Sequence, residues 1–275
     1  MADLTGKTPF LTAFDKVALI TGGSKGIGKG CARVFAAAGA KVVICARGRE
    51  AGEALAAVIT TKGPGTCHFE SCDVSKPDDI RAVVEKTVAL YGRLDCLINN
   101  AARYSIGKSI DAYSIEEFQS VLQTNLVGYF AACKYALPHL RATRGCIINM
   151  GSIVGELGSW HNVLYNIAKG GIHALTKSLA IDEAEYGVRV NAVLPGNVIT
   201  EAREDLEASM PDAGPFHAWA ESLQWMGRSG RVEEAGLVCL FLASDAASFI
   251  TGIGLPLTGG IELGVGPKGP MPNFT

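Results

Sequence analysis

Residues 17–28 read Val-Ala-Leu-Ile-Thr-Gly-Gly-Ser-Lys-Gly-Ile-Gly, an apolar run that breaks into a cluster of glycines and then enters a stretch of helical composition. Few chain geometries accept that order. A buried strand must end in a tight turn, and a helix must start within a few residues of it. Gly22 suits the turn, Gly26 lets the backbone approach an anionic ligand, and Gly28 permits close helix–strand packing. The helix N-terminus then aims unpaired N–H groups and a partial positive charge at that ligand. Ser24 reads as a turn or phosphate contact, because no Gly-x-Ser-x-Gly elbow exists to make it a nucleophile.

The same strand-to-helix rhythm runs along the chain. Strands are expected at 17–20, 41–45, 66–74, 94–101, 145–152, 188–196 and 252–260. Helices are expected at 28–40, 48–62, 115–141, 162–186 and 233–244, with another opened by Lys76-Pro77 and closed by Gly92. Such alternation predicts one domain over 1–275, a Rossmann-type doubly wound α/β fold with its ligand crevice at the carboxyl ends of parallel strands. The segment 197–231, which holds Trp219 and Trp225, is too long for a structureless connection and reads as a loop-plus-helix substrate lid.

Composition narrows the function classes. Apolar residues make up 48% of 275 residues and charged ones 19%, which excludes a disordered chain. A formal net charge of −2 gives no basic excess for nucleic acid or an anionic membrane. No apolar run approaches the ~20 residues of a membrane span, and the first residues lack the pattern of a signal peptide. A cytoplasmic location is expected. None of the eight cysteines forms Cys-x-x-Cys and no His/Cys/Asp cluster has ligand spacing, so reduced thiols and no metal are expected.

Two further stretches point to chemistry. The second strand ends Ile44-Cys45-Ala46-Arg47, where a site for NAD(H) would carry an acid to hold the ribose hydroxyls. Ala46 removes that charge, and Arg47 with Lys25 can bond a 2′-phosphate, so NADP(H) is expected, with NAD(H) as runner-up. Asp73, followed by Val74, either accepts a bond from the adenine amino group or caps a helix. Tyr165 follows Ser152 by 13 residues, and Lys169 follows Tyr165 by four, on the same helical face. A tyrosine ionises near ~10, and a neighbouring ammonium favours its phenolate. Ser152 can then hold a substrate oxygen while Tyr165 moves its proton and a nicotinamide moves the hydride.

On these residues the chain resembles the short-chain dehydrogenase/reductase family along essentially its whole length. The resemblance implies that Thr21 to Gly28, including Ile27, form the cofactor loop and that Ser152, Tyr165 and Lys169 are catalytic. Asn125, in Thr124-Asn125-Leu126, matches the fourth catalytic member. Asn99-Asn100-Ala101-Ala102 matches an adenosine-side motif, so Asn100 and Ala101 are cofactor contacts. Pro195, Gly196, Val198 and Thr200 match the segment at the nicotinamide end. Thr258 stands where many members carry Asp. The runs 136–141, 186–191 and 258–264 resemble a branch active on hydroxysteroids and L-fucose, although that branch has an acid at the Ala46 position. Relatives assemble through helices like 115–141 and 162–186, so a homotetramer or homodimer is expected.

Substrate class comes from the lid. Leu206, Met210, Phe216, Trp219, Leu223, Trp225 and Met226 predict a pocket for a neutral, mostly apolar ketone, aldehyde or alcohol, steroid- or isoprenoid-like. The alternatives are an NAD(P)-dependent dehydrogenase of an L-fucose-type sugar and a nucleotide-binding regulatory protein without turnover. Arg203 reads as a surface salt bridge, His68 as a strand residue, and His161 as either pocket or exposed loop.

Overall fold

The computed structural model describes residues 13–104 and 107–263. Seven runs pair in parallel: β1 (Val17–Thr21), β2 (Lys41–Ala46), β3 (Thr66–Ser71), β4 (Cys96–Asn99), β5 (Cys146–Met150), β6 (Arg189–Pro195) and β7 (Gly254–Leu257). Their order is β3-β2-β1-β4-β5-β6-β7. The direction of winding reverses between β1 and β4, and a crevice opens at that switch point.

The helices in chain order are α1 (Gly26–Ala37), α2 (Arg49–Lys62), α3 (Pro77–Tyr91), α4 (Ile115–Leu122), α5 (Gly128–Thr143) and α6 (Val154–Leu157). They continue as α7 (Val163–Asp182), α8 (Glu201–Ala208), α9 (Gly214–Ser222) and α10 (Val232–Ala243). Period-two alternation in the strands supplies two cores. Ala18, Ile20, Val42 and Ile44 pack with Phe35 of α1, Ile59 of α2 and Leu240 of α10. Val17, Leu19, Val43 and Leu97 pack on the other face with Ile80 of α3, Leu140 of α5 and Ala180 of α7. All eight cysteines are free, and all but Cys67 are buried.

The two helices that flank the glycine loop touch backbone to backbone. A Cβ on Gly30 would lie 2.3 Å from the Val232 carbonyl oxygen, and one on Gly236 would lie 2.8 Å from the Gly30 carbonyl oxygen. That contact fixes α1 against α10, and with it the turn that α1 begins.

Three differences from the sequence reading matter to function. The single helix expected over 115–141 is two helices joined by a π-helical stretch, Gln123–Val127. There the fully buried Asn125 side chain bonds backbone outside its own helix, accepting from Arg103 N at 2.7 Å and donating to Arg103 O at 2.9 Å. The expected strand 66–74 stops at Ser71, because Asp73 turns the chain by accepting bonds from Ser75 N and Oγ at 3.0 and 2.8 Å. The expected lid contains two helices, α8 and α9, with Thr200 capping the first. Its base is pinned where Val198 pairs with Gly230.

Filling the α1–α10 crossing should unseat the loop. Gly236→Val is expected to lower the melting temperature by roughly 3–10 °C through overpacking. A variant that melts with the wild type would contradict the packing argument.

Candidate active site

Strand ends from β1, β4, β5 and β6 converge on one opening, and each delivers a motif. At β1 the chain turns through Gly22, whose φ is +64°, and a Cβ there would sit 2.7 Å from the Ala101 Cα. Only glycine accommodates that approach. Asn100 locks the same junction: its backbone N–H donates to Thr21 Oγ1 at 2.9 Å, and its amide donates to the carbonyls of Thr21 and Gly22, both at 3.0 Å. Ser24 and Ile27 are half-buried, Gly28 is buried and Lys25 is exposed, so the loop presents backbone to the crevice. These residues form a cradle that fits a dinucleotide pyrophosphate.

The N-terminus of α1 already meets an anion that sequence reasoning missed. Glu201, the first residue of α8, accepts the Gly26 N–H at 2.7 Å through one carboxylate oxygen and bonds Lys29 through the other. The contact ties the lid to the glycine loop across 175 positions of sequence.

At the adenosine side, Ala46 ends β2 half-buried and Arg47 is exposed just beyond it. Asp73 keeps a carboxyl below its usual range, chiefly through its bonds to Ser75, with Arg47 and Lys76 adding to the effect. One carboxylate oxygen, Oδ1, takes both turn bonds, and no side-chain cap bond from Lys76 reaches α3. Val74 is half-buried beside it. On the opposite flank Pro195 ends β6 buried, followed by half-buried Gly196, Val198 and Thr200.

The reactive cluster sits past β5. Ser152 is buried, its hydroxyl donates to the Pro195 carbonyl at 3.5 Å, and it lies close enough to the Tyr165 phenol to favour its ionised form. Lys169 is fully buried, donates to the Met150 carbonyl at 2.6 Å, and sits 5.5 Å from the Tyr165 ring and 5.4 Å from the Tyr129 ring. Tyr129 donates to the same carbonyl at 3.2 Å. Tyr104 packs edge-on to Tyr165 with centroids 5.5 Å apart.

Electrostatics here correct the sequence argument. Burial pushes the Tyr165 phenol up to about 12, although the Ser152 bond favours its ionised form. Burial pulls Lys169 down to about 7. The ammonium expected to lower the tyrosine is itself disfavoured in this site, so at neutral pH Tyr165 stands as a proton donor.

Other expected residues lie at the margins. His161, at φ +59°, meets Trp160 edge-on with centroids 3.8 Å apart, and Trp160 is 86% exposed. Arg203 is half-buried, donating to Glu207 at 2.7 Å and Ser229 at 2.6 Å, which makes its salt bridge structural rather than superficial. Leu206, Trp219, Trp225 and Met226 are exposed, and Met210, Phe216 and Leu223 are half-buried. His68 bonds Glu70 at 2.8 Å within the edge strand. Among the described residues no group of His, Cys, Asp and Glu could hold a metal, and no helix is long and apolar enough to cross a membrane.

Comparison with known proteins decides the lineage. Residues 22–262 match a family model described as enoyl-(acyl carrier protein) reductase. The L-fucose dehydrogenase of Oryctolagus cuniculus is 43% identical over 253 residues, covering 92% of this chain and 87% of the relative. The chain belongs to the short-chain dehydrogenase/reductase family. Members of this family use a nicotinamide cofactor to act on CH–OH groups. A 3-oxoacyl-(acyl-carrier-protein) reductase of Chlamydia muridarum is 36% identical, covering 90% of this chain and 97% of that one. The crystal structure of Cj0485 dehydrogenase superposes with a TM-score of 0.85 at 28% identity, covering 91% of this chain and 95% of that chain.

Lys169 makes the site's cost measurable. A buried lysine that ionises near 7 binds fewer protons folded than unfolded between that pH and its ordinary ~10.4. Stability should therefore rise with pH across that window. Lys169→Met should melt above the wild type at pH 6, and the gap should shrink by pH 10. A gap independent of pH would contradict the assignment.

Proposed function

We propose that this chain is an NAD(P)-dependent dehydrogenase of a sugar-class secondary alcohol, with L-fucose-type substrates ahead of steroids and isoprenoids, and with NADP(H) preferred. The observation that carries the reaction type is the convergence of Ser152, Tyr165 and Lys169 at one strand end, beside the glycine cradle. The sugar class is supported by relatives named L-fucose dehydrogenase, 43% identical in Oryctolagus cuniculus and 40% in Mus musculus. It is also supported by the exposed aromatic ring of Tyr104 beside the phenol, which suits the ring face of a pyranose.

In this reading the bound nicotinamide supplies or accepts the hydride. Ser152 orients the substrate oxygen through its hydroxyl. Tyr165 gives its proton to that oxygen in reduction and takes it back in oxidation. Lys169 faces the phenol and stabilises negative charge as it develops there. Asn125 fixes the Arg103 backbone at the mouth of the site. Gly22, Ser24, Gly26 and Ile27 take the pyrophosphate, Asn100 and Ala101 the adenosine side, and Pro195, Gly196, Val198 and Thr200 the nicotinamide end. Arg47 and Lys25 favour a 2′-phosphate because Ala46 offers it no repulsion.

Assembly as a homodimer or homotetramer forms part of this reading. Phe130 of α5 with Ile167 and Ile181 of α7 are exposed apolar groups on the two helices expected to pair.

Tyr165→Phe should cut kcat/KM by at least ~100-fold while cofactor still binds, and near-wild-type turnover would refute the proton role. Ala46→Asp combined with Arg47→Ala should move the preference from NADPH toward NADH in fluorescence titration; tighter NADH binding by the wild type would refute the cofactor choice. A kinetic panel of L-fucose, estradiol, a terpenoid alcohol and small diketones tests substrate class. Turnover of the steroid or terpenoid alone would restore the apolar reading.

A further inference from the structure

The face of α7 that carries Tyr165 and Lys169 continues one turn further to His173. Its side chain is 11% exposed. Nδ1 lies 3.6 Å from a carboxylate oxygen of Glu156 on α6, and Nε2 is buried without a hydrogen-bond partner. A Cβ at Gly151 would stand 2.9 Å from that Nε2, so the ring fills the space a side chain at 151 would take. The imidazole is thus wedged behind the turn that delivers Ser152.

A leucine would fill this space without an orphaned nitrogen, so the position asks what a titratable ring adds. Burial holds His173 below its ordinary range; Glu156 and the Ser152 backbone favour the charged ring, while Lys177 and Lys169 oppose it. These groups come from α6, α7 and the end of β5, and the contact from β6 is the uncharged Leu194.

We propose that His173 is a positioning residue for Ser152: the neutral ring braces the turn after β5, and protonation, drawn by Glu156, disturbs that brace and sets a second cation near Lys169. The inference rests on the role given to Ser152 above. Its consequence is an acid-side loss of turnover that originates behind Ser152 and not at the phenol.

The test begins with the cofactor-free protein, so it does not depend on the substrate. In an NMR titration the His173 ring should change charge below ~6.5, the ordinary histidine value. The Ser152 amide resonance should follow the same midpoint. In Glu156→Gln, which removes the attracting carboxylate, both midpoints should move to lower pH together. A His173 ring that titrates as a free histidine, or a Ser152 amide that ignores it, overturns the proposal.

Kinetics supply the second arm, with any alcohol or carbonyl the enzyme turns over. His173→Leu fills the same space without a titrating ring, so it should keep the neutral-pH kcat within about twofold with cofactor KM unchanged, and its acid limb should vanish. His173→Asn leaves the space beside Gly151 partly empty and should lower the neutral-pH kcat about tenfold, also without the acid limb. An acid limb that stays in place in Glu156→Gln and in both His173 variants overturns the proposal.

Discussion

A lysine ammonium buried to 1% exposure is the constraint around which the site is arranged. Water cannot solvate Lys169, so the protein supplies the Met150 carbonyl at 2.6 Å and two aromatic faces within 5.5 Å. Those partners exist only because β5 ends where it does, with α7 laid across that end and α5 bringing Tyr129 from the same side of the sheet. The burial that disfavours the ammonium also disfavours the phenolate, so the two groups are matched: each gains most from ionising when the other is charged.

The scaffold around this pair is stiff where position matters. The sheet fixes Ser152 and the Asn100 junction, and the α1–α10 contact fixes the glycine loop. The lid is joined more lightly. It is pinned at the Val198–Gly230 pairing and tied to α1 through Glu201. Arg203, Glu207 and His217 cross-link α8 with α9 on its outer part. A lid anchored to the glycine loop by a carboxylate places cofactor binding and lid position in the same electrostatic neighbourhood.

Much of this was legible in the sequence because it is local. The Thr21–Gly28 turn, the 13-residue step from Ser152 to Tyr165 and the four-residue step to Lys169 survive as written, since strand and helix periodicities fix them. What was not legible depends on which groups the fold buries together. The π-helical stretch at Gln123–Val127 has no marker in composition; it exists to let Asn125 reach the Arg103 backbone. Glu201 lies 175 residues from its partner. Charge proximity in the sequence points to a lowered Tyr165 pKa, whereas desolvation, which only the fold shows, raises it. Residue types in 201–226 point to an apolar lid, and only the structure shows that Leu206 of α8 and Trp219 of α9 are exposed. His173 does carry a signal in the sequence, four residues after Lys169 on the same helical face.

The central claim is that burial, not charge alone, sets the resting state of the Tyr165–Lys169 pair. An ultraviolet difference titration of tyrosine ionisation tests it most directly, comparing the cofactor-free wild type with Tyr165→Phe. The account predicts that the phenol missing from the variant is one that ionises near 12, well above its ordinary ~10. A phenol at this position that ionises below ~10 in the free protein would contradict the account.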